Sequence, residues 1–309
     1  MNCRFGGCPG RLAGLTGEGM CGRYASARKR IELLEEFSVQ RDQAAEPLRP
    51  DYNVAPTKAV YTVVDRTARA AGEEAATADA GASRDASTEA PERELRVMRW
   101  GLVPFWAKDV KIGSRMINAR AETVAEKPAF RRAFAKRRCL VPADGYYEWQ
   151  QLPGAAKQPV YISRTDGRPL AFAGLYELWR DPAVNSDDQD AWLWTNTIIT
   201  TSAPDEIGMI HDRMPMIIDR DSWADWLDPA NTDVADLKML LTPAMVGDLT
   251  TWPVSTAVNS VRNNGPELIE PVPAGLAGPL TAVAPRAGRP GAATQAARDR
   301  AGDGTGALF

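Results

Sequence analysis

The residue with the most distinctive chemistry is Cys21, which directly follows Met20. If translation starts at Met20, removal of that methionine leaves Cys21 with a free α-amine and a thiol on adjacent carbons. An α-amine has an ordinary pKa near ~8, so a useful fraction is unprotonated at neutral pH and can attack an aldehyde to form an imine. The thiol can then close on the imine carbon and give a five-membered thiazolidine. The alternative is a small buried cysteine without reactivity.

His211 and Glu148 are the candidates for proton transfer. His211 is the only histidine of the chain and lies in a polar island between apolar strands. A histidine titrates near ~6.5, which suits acid–base work, although a lone histidine is often a surface or satisfied core residue. Glu148 lies among the aromatic residues of 145–149. Burial there would raise its pKa and suit it to proton transfer, an outward position would make it an ordinary surface acid, and strand alternation allows both.

Asn118 and the basic segment around it are the candidates for binding. The amide of Asn118 could orient a substrate oxygen or, alternatively, cap a turn. Residues 108–138 carry ten lysines and arginines against three acidic residues, which gives a local charge of +7. Trp100, Phe105 and Trp106 lie just upstream. Such cationic and stacking groups are typical of single-stranded nucleic-acid binding, while a solvated helix face would explain the charges alone.

The remaining cysteines indicate no metal or redox site. Cys139 is followed by apolar residues and is expected to be an inert core residue. Cys3 and Cys8 lack the spacing of zinc pairs, and four cysteines in a chain this long form no disulfide framework. We therefore expect neither a metal nor another cofactor.

Composition narrows the class of protein. With 309 residues, 44% of them hydrophobic and 25% charged, the chain is long enough for one large domain or two small ones. Its net charge of −3 gives no global attraction to nucleic acid, so a polyanion site must be a local patch. The sequence contains no run of ~18 apolar residues that could span a membrane. Its N-terminus lacks the apolar core of a secretory signal, which makes the cytoplasm the expected compartment.

The elements that must position these residues are mostly short strands. Apolar residues at near-helical spacing predict a helix over 26–37 with a serine N-cap, and 128–138 is expected to form a short basic helix. Strand-like runs occupy 60–64, 95–98, 139–142, 145–149, 160–163, 170–178, 192–201 and 214–218, and a helical turn is expected at 222–227. The runs 139–142 and 145–149 are expected to pair around a turn. Many short strands and few helices predict a mainly antiparallel α+β domain.

Three segments are expected to lie outside the folded domain, which then spans 20–272. Residues 1–19 are rich in Gly and are expected to form a disordered extension. Residues 67–92 contain no large apolar side chain and are expected to be a disordered insertion. Residues 273–309 turn to Ala, Gly, Pro and Arg and are expected to be a disordered tail.

Seven short segments carry a resemblance to a known family. They are MCGRY at 20–24, YNVAPT at 52–57, WGLVP at 100–104, NARAET at 118–123, CLVP at 139–142, GYYEW at 145–149 and HDRMP at 211–215. In this order they closely resemble the SRAP (SOS response-associated peptidase) family, over roughly 20–270. The resemblance implies a single α+β domain with a β-barrel-like core and short flanking helices. It also implies that the protein shields abasic sites in single-stranded DNA by a covalent thiazolidine crosslink at Cys21. The sequence indicates no oligomerisation and no cofactor, so we expect a monomer.

The same resemblance assigns roles to residues of the matching segments. Asn118 would position the reacting sugar, Glu148 would move protons during imine formation and crosslink reversal, and His211 would protonate the sugar oxygen as the ring opens. The DNA-contacting residues would be Arg23 and Arg120 at phosphates, and Pro56, Trp100 and Trp106 as wedges against bases at the lesion.

One departure concerns the nineteen residues ahead of Met20, which would block the amine. We expect translation to start at Met20, with proteolytic exposure of Cys21 as the alternative. The family name records a proposed peptidase activity, which would fit a limited autoproteolysis. Two other function classes stay open on the residues alone. One is a thiol peptidase or N-terminal-nucleophile amidohydrolase using Cys21, His211 and Asn118, and the other is a non-covalent single-stranded DNA-binding module.

Overall fold

A computed structural model of the protein describes residues 21–66, 90–184, 191–242 and 248–273. The tails expected at 1–19 and beyond 273 lie outside these ranges, as does most of the insertion expected at 67–92. Strand pairing nevertheless reaches into the expected insertion, because Glu92 pairs with Arg66. The expected boundary at 92 is therefore too late in the sequence.

The described residues form thirteen strands and several short helices. The strands are β1 Tyr24–Ser26, β2 Arg41–Asp42, β3 Asp51–Val54, β4 Ala59–Arg66, β5 Glu92–Trp100, β6 Asn118–Arg120, β7 Arg138–Ala143, β8 Gly145–Gln150, β9 Gln158–Arg164, β10 Leu170–Arg180, β11 Trp192–Ser202, β12 Arg213–Pro215 and β13 Leu249–Pro253. The α-helices are α1 Arg30–Glu36, α2 Arg131–Lys136, α3 Asp205–Gly208, α4 Trp223–Leu227 and α5 Val234–Met239. Short 3₁₀ helices occupy Val110–Arg115, Arg220–Ser222, Thr256–Asn259 and Pro266–Leu268. Within the described ranges no helix combines the length and the apolar character needed to cross a membrane.

Five strands close into a mixed barrel, in the order β11, β10, β7, β4, β5 and back to β11. Neighbouring strands of the barrel are antiparallel except β5 and β11, which run parallel and pair Trp100 with Asn196. Strands β2, β6 and β12 extend the same sheet. The structure thus confirms the predicted α+β class with a mainly antiparallel, barrel-like core.

A second sheet packs against this barrel. Its strand order is β13, β9, β8, β1, β3, and every neighbouring pair is antiparallel. Tyr24 of β1 and Tyr146 of β8 each meet Phe172 of β10 edge-on, with ring centroids 6.0 Å apart in both cases. One buried apolar cluster therefore joins the two sheets, and we call this contact the seam.

The predicted hairpin of 139–142 with 145–149 is wrong. These runs form β7 and β8, which lie in different sheets: β7 pairs with β10 and β4, whereas β8 pairs with β1 and β9. Only Asp144 separates the two strands, and its backbone N–H donates to Ala25 of β1 at 2.8 Å. A tight hairpin needs two residues in a primed turn, so a single linking residue carries the chain across the seam instead.

The predicted helices are shorter than expected. The helix predicted over 26–37 begins at Arg30, because Ser26 ends β1, and no side chain caps it. The helix predicted over 128–138 is confined to α2, because Arg138 already belongs to β7. The helical turn expected at 222–227 is confirmed by α4.

Candidate active site

Cys21 and Glu148 form the centre of the site. Cys21 lies three residues ahead of β1, and Glu148 lies on the neighbouring strand β8, where Tyr24 pairs with Tyr146. The Cys21 thiol donates a hydrogen bond to Oε1 of Glu148. Only 4% of Cys21 and 3% of Glu148 is exposed to solvent. Glu148 therefore takes the inward position, one of the two that strand alternation allowed.

Burial sets the protonation of this pair. It raises the pKa of Glu148 to about 8, a shift that the hydrogen bond from Cys21 opposes and the charge of Asp212 reinforces. Burial also raises the pKa of the Cys21 thiol, and the negative charge of Glu148 raises it further. At neutral pH the thiol is protonated, and Glu148 is largely a carboxylic acid that can exchange its proton with a substrate.

Asn118 fixes the backbone of Cys21. It lies on β6, which runs parallel to β11 and pairs Asn118 with Ile198. Its Nδ2 donates to the Cys21 carbonyl oxygen at 2.9 Å. The Oδ1 of the same amide is buried and has no hydrogen-bond partner among the described residues. Asn118 is therefore a positioning group that also retains an acceptor for a ligand.

His211 lies in the connection between α3 and β12. Its Nδ1 accepts a hydrogen bond from the Arg213 backbone N–H at 3.1 Å and lies 3.2 Å from Oδ1 of Asp212. The charge of Asp212 acts on Glu148 and that of Arg213 acts on Cys21, so this connection lies within electrostatic reach of the pair. The structure thus joins Cys21, Glu148 and Asn118 by hydrogen bonds, and it places the two residues that follow His211 within electrostatic reach of them.

The role of Arg213 was not predicted from the sequence, although a charged residue two positions after the lone histidine could have indicated it. Arg213 donates to both carboxylate oxygens of Glu122, at 2.6 and 3.1 Å, and to the Thr200 carbonyl oxygen at 2.7 Å. These bonds hold the His211 connection against the turn that follows β6 and against β11. Arg213 is consequently a positioning residue beside the site.

The residues expected to contact DNA lie in different settings. Arg23 is half-buried and donates to Oδ1 of Asn53 at 2.7 Å and to the Val258 carbonyl oxygen at 2.9 Å, while its guanidinium lies 5.7 Å from the Trp149 ring centroid. Arg120 is exposed at the end of β6. Arg120 is therefore directly available to a phosphate, whereas Arg23 is already held by the protein.

The two tryptophans predicted to wedge against bases, Trp100 and Trp106, differ in their exposure to solvent. Trp106 is 52% exposed and could stack on a base. Trp100 is 1% exposed, donates Nε1 to the Ile117 carbonyl oxygen at 2.9 Å and meets Tyr24 edge-on. In this conformation Trp100 is a core residue whose ring no base can reach. Pro56 is half-buried in the turn before Thr57, whose N–H donates to the Trp100 carbonyl oxygen at 2.8 Å.

Trp106 lines one surface pocket with Lys108, Lys111 and Arg115, and we call these residues, together with Phe105 and Arg132, the basic ridge. Phe105 is 53% exposed and carries the Arg132 guanidinium 4.6 Å from its ring centroid. The exposed cations of the basic segment are Lys108, Lys111, Arg115, Arg120, Lys127, Arg131, Arg132 and Lys136. Arg138, in contrast, is buried and donates to backbone carbonyl oxygens. Most of the positive charge counted in the sequence is therefore available to a polyanion.

Cys139 and possible metal-binding groups can be compared with the expectations from the sequence. Cys139 is fully buried, as predicted, and burial raises the pKa of its thiol. Among the residues that the structure describes, no group of three or more His, Cys, Asp or Glu side chains lies close enough to hold a metal ion.

Replacing Glu148 by Gln should stabilise the protein more at pH 8 than at pH 5. The ordinary pKa of a glutamate side chain is 4.5, and that of Glu148 in the folded protein is about 8. Between these two pH values the folded protein holds a proton that the unfolded chain has released. The free energy of unfolding therefore falls as pH rises through this window, and Gln, which cannot ionise, removes the loss. Melting temperatures at both pH values measure the effect. Glu126→Gln, at an exposed acid, is the control; an equal shift at both pH values for Glu148→Gln would contradict the raised pKa.

A buried thiol held by a carboxylic acid, beside a sheet that packs against a mixed barrel, defines a cysteine-centred site of nucleophilic and acid–base character. The chain belongs to the SOS response associated peptidase (SRAP) family, whose model matches residues 20–261. It is 39% identical over 251 residues to the abasic site processing protein YoqW of Bacillus subtilis (strain 168), which covers 81% of this chain and 99% of that relative. It is 33% identical over 289 residues to the abasic site processing protein HMCES of Gallus gallus, covering 83% of this chain and 79% of the relative.

A solved structure supports the same assignment of the fold. The chain resembles a protein from Bacteroides thetaiotaomicron with a TM-score of 0.63 and 26% identity, and the match covers 82% of this chain and all of that one. Together with the family match, this likeness confirms the resemblance inferred from the seven sequence segments.

Proposed function

We propose that the protein captures abasic sites in single-stranded DNA by forming a thiazolidine crosslink through Cys21, once Cys21 is the N-terminal residue. The observation that carries the proposal is the Cys21 thiol hydrogen-bonded to the buried Glu148. An abasic site presents an aldehyde, which is the group that an adjacent amine and thiol trap together. The names of the relatives, which describe abasic site processing, support this choice of substrate.

The proposed reaction balances with the residues of the site. The α-amine adds to the aldehyde carbon and passes one of its protons to the aldehyde oxygen, which becomes a hydroxyl. Glu148 donates its proton to that hydroxyl, and water leaves as the carbon–nitrogen double bond of a protonated imine forms, with the second amine proton still on nitrogen. Glu148, now a carboxylate, takes the proton from the Cys21 thiol as sulfur bonds to that carbon. The electron pair of the double bond returns to nitrogen, and the carboxylic acid is restored. The overall change is the loss of one water molecule.

Asn118 and His211 assist this reaction. Asn118 lies on β6 of the barrel sheet, and His211 lies in the connection that leads to β12 of the same sheet. Asn118 holds the Cys21 carbonyl oxygen, which orients the adjoining amine, and its free Oδ1 can accept a hydrogen bond from a sugar hydroxyl. His211 has one ring nitrogen engaged by the Arg213 backbone, so its Nε2 is the atom that can protonate the sugar oxygen as the ring opens.

The basic ridge supports single-stranded DNA as the partner. Exposed Phe105 and Trp106 offer faces on which unpaired bases can stack, and the surrounding cations can follow the phosphates. We also propose that the protein acts on DNA in the cytoplasm as a monomer. Exposed Arg120 ends the strand that begins with Asn118, so it can hold a phosphate near the Cys21 site.

Trp106→Ala should weaken binding to an intact single-stranded oligonucleotide on the order of tenfold, because one base-stacking face is worth ~1–3 kcal/mol. Fluorescence anisotropy in a Cys21→Ala background measures binding without crosslinking. Ile31→Ala, at an exposed apolar residue of α1, is the matched control and should bind normally. Equal affinities for the two variants would contradict a stacking role for Trp106.

A peptidase function is favoured less by the geometry. A thiol peptidase pairs its cysteine with a histidine, whereas the thiol of Cys21 donates to Glu148. The family description mentions a peptidase, and we propose that any such activity is limited to removal of the residues ahead of Cys21. Intact mass of the natively expressed protein reports its N-terminal residue.

The test of the proposed function compares two oligonucleotides of one sequence, one with an abasic site and one intact. Protein beginning at Cys21 should give an adduct with the abasic strand that survives heating in a denaturing gel, and none with the intact strand. Equal non-covalent retention of both strands would indicate a plain DNA-binding module. Turnover of peptides without DNA would indicate a general peptidase.

A further inference from the structure

The Tyr146 hydroxyl is buried beside the Cys21–Glu148 pair, and no step of the proposed reaction uses it. Tyr146 is fully buried, and its hydroxyl has no hydrogen-bond partner among the described residues. An unpaired buried hydroxyl destabilises a folded protein, so each one retained in a native core calls for an explanation.

The Tyr146 side chain faces the Cys21–Glu148 pair. Tyr146 and Glu148 are two residues apart on β8 and therefore point to the same face of the sheet. Tyr146 also belongs to the same buried cluster as Cys21. Burial raises the pKa of the Tyr146 phenol, and Cys21 and Glu148 in their ionised forms raise it further, in keeping with their proximity.

We propose that Tyr146 is a positioning residue for ring closure, whose hydroxyl donates a hydrogen bond to the Cys21 sulfur as the thiol passes its proton to Glu148. This inference rests on the proposed function. In that step the sulfur–carbon bond forms while the S–H bond and the second carbon–nitrogen bond break, and negative charge develops on sulfur. A neutral thiol is a weak acceptor, which explains why the hydroxyl is unpaired at rest, whereas a developing thiolate is a strong one.

Tyr24 offers a matched control across the neighbouring strand. It pairs with Tyr146 in the register of β1 with β8, it is buried, and it meets Phe172 at the same 6.0 Å. Its hydroxyl likewise lacks a hydrogen-bond partner among the described residues. The charges that act on Tyr24, however, are those of Asp51 and Cys139. The two tyrosines therefore share their packing and differ in whether they face the reacting pair.

The experiment compares Tyr146→Phe and Tyr24→Phe in protein beginning at Cys21, with an abasic oligonucleotide under single-turnover conditions. Each sample is divided and denatured with or without borohydride, because an imine survives denaturation only after reduction whereas the thiazolidine survives without it. Tyr146→Phe should form the thiazolidine on the order of tenfold more slowly and accumulate borohydride-dependent adduct, since it lacks one hydrogen bond to a charged group. Tyr24→Phe should match the unmodified protein.

Several outcomes would overturn the inference. Equal slowing by both variants would indicate a packing effect, and no slowing by Tyr146→Phe would leave the hydroxyl without a role in ring closure. Slowing without accumulation of imine would place the effect in an earlier step. If Tyr146→Phe melts at a clearly lower temperature, replacement of Tyr146 by 3-fluorotyrosine, which keeps the hydroxyl, should retain the normal share of imine, and a raised share would refute the proposal. Failure of the unmodified protein to form any adduct would instead refute the proposed function.

Discussion

Cys21→Ala, in protein that begins at residue 21, should abolish the heat-stable adduct with abasic DNA while non-covalent binding persists. Alanine keeps the α-amine and can still form an imine, but it has no sulfur with which to close the ring. The expected product is therefore an adduct that appears only after borohydride reduction. Denaturing gels run with and without the reductant measure both species in one experiment.

A protein that retains Met20 and a control variant test whether the thiol must lie next to a free amine. Protein in which Met20 is retained, as verified by intact mass, should also lack the heat-stable adduct, because the thiol no longer lies next to the free amine. Cys139→Ala is the matched control, since Cys139 is fully buried in β7, and it should crosslink at the normal rate. Full crosslinking by protein that retains Met20 would refute the thiazolidine chemistry.

Glu148→Gln should slow crosslinking by roughly 10²-fold or more, the usual contribution of a positioned general acid–base group. Glutamine preserves the shape of the side chain and an acceptor for the thiol, but it cannot give a proton to the leaving hydroxyl or take one from sulfur. Crosslinking rates at saturating protein measure the loss.

The pH dependence identifies the proton carrier. Because burial raises the pKa of Glu148 to about 8, its acid form persists through neutral pH and is lost as pH rises through that value. The rate of imine formation should therefore fall at alkaline pH in the unmodified protein, and Glu148→Gln should lose this alkaline limb. Glu126→Gln should keep both the rate and the profile. A normal rate with Glu148→Gln would show that another group moves the proton.

The chemistry of the site could be predicted from the sequence to the extent that it is local. The amine and thiol belong to one residue, so Cys21 could be singled out without knowledge of the fold. The orientation of Glu148 could not, because β8 buries both of its faces: Tyr146 and Tyr147 point in opposite directions and both are fully buried. Strand alternation then no longer separates inside from outside.

The different positions of Trp100 and Trp106 also depend on contacts that are distant in sequence. Gly101 adopts a φ of +126°, and a Cβ there would lie 2.5 Å from the Gly113 carbonyl oxygen. This turn and close approach leave Trp100 in the core while the chain carries Trp106 out to the ridge. An aromatic cluster in a sequence does not indicate which of its rings the backbone will bury. The assignment of β7 and β8 to different sheets likewise depends on their partners elsewhere in the chain.

The seam has a consequence for anyone who would shorten this protein into a compact probe for lesion mapping. Cys21 and Glu148 come from the sheet that contains β1 and β8, whereas Asn118 and the His211 connection come from the sheet that contains the barrel. Strands of the two sheets are interleaved along the chain, so no single cut yields a fragment with a whole site. A shortened protein must keep both sheets, and only segments that connect their strands can be removed.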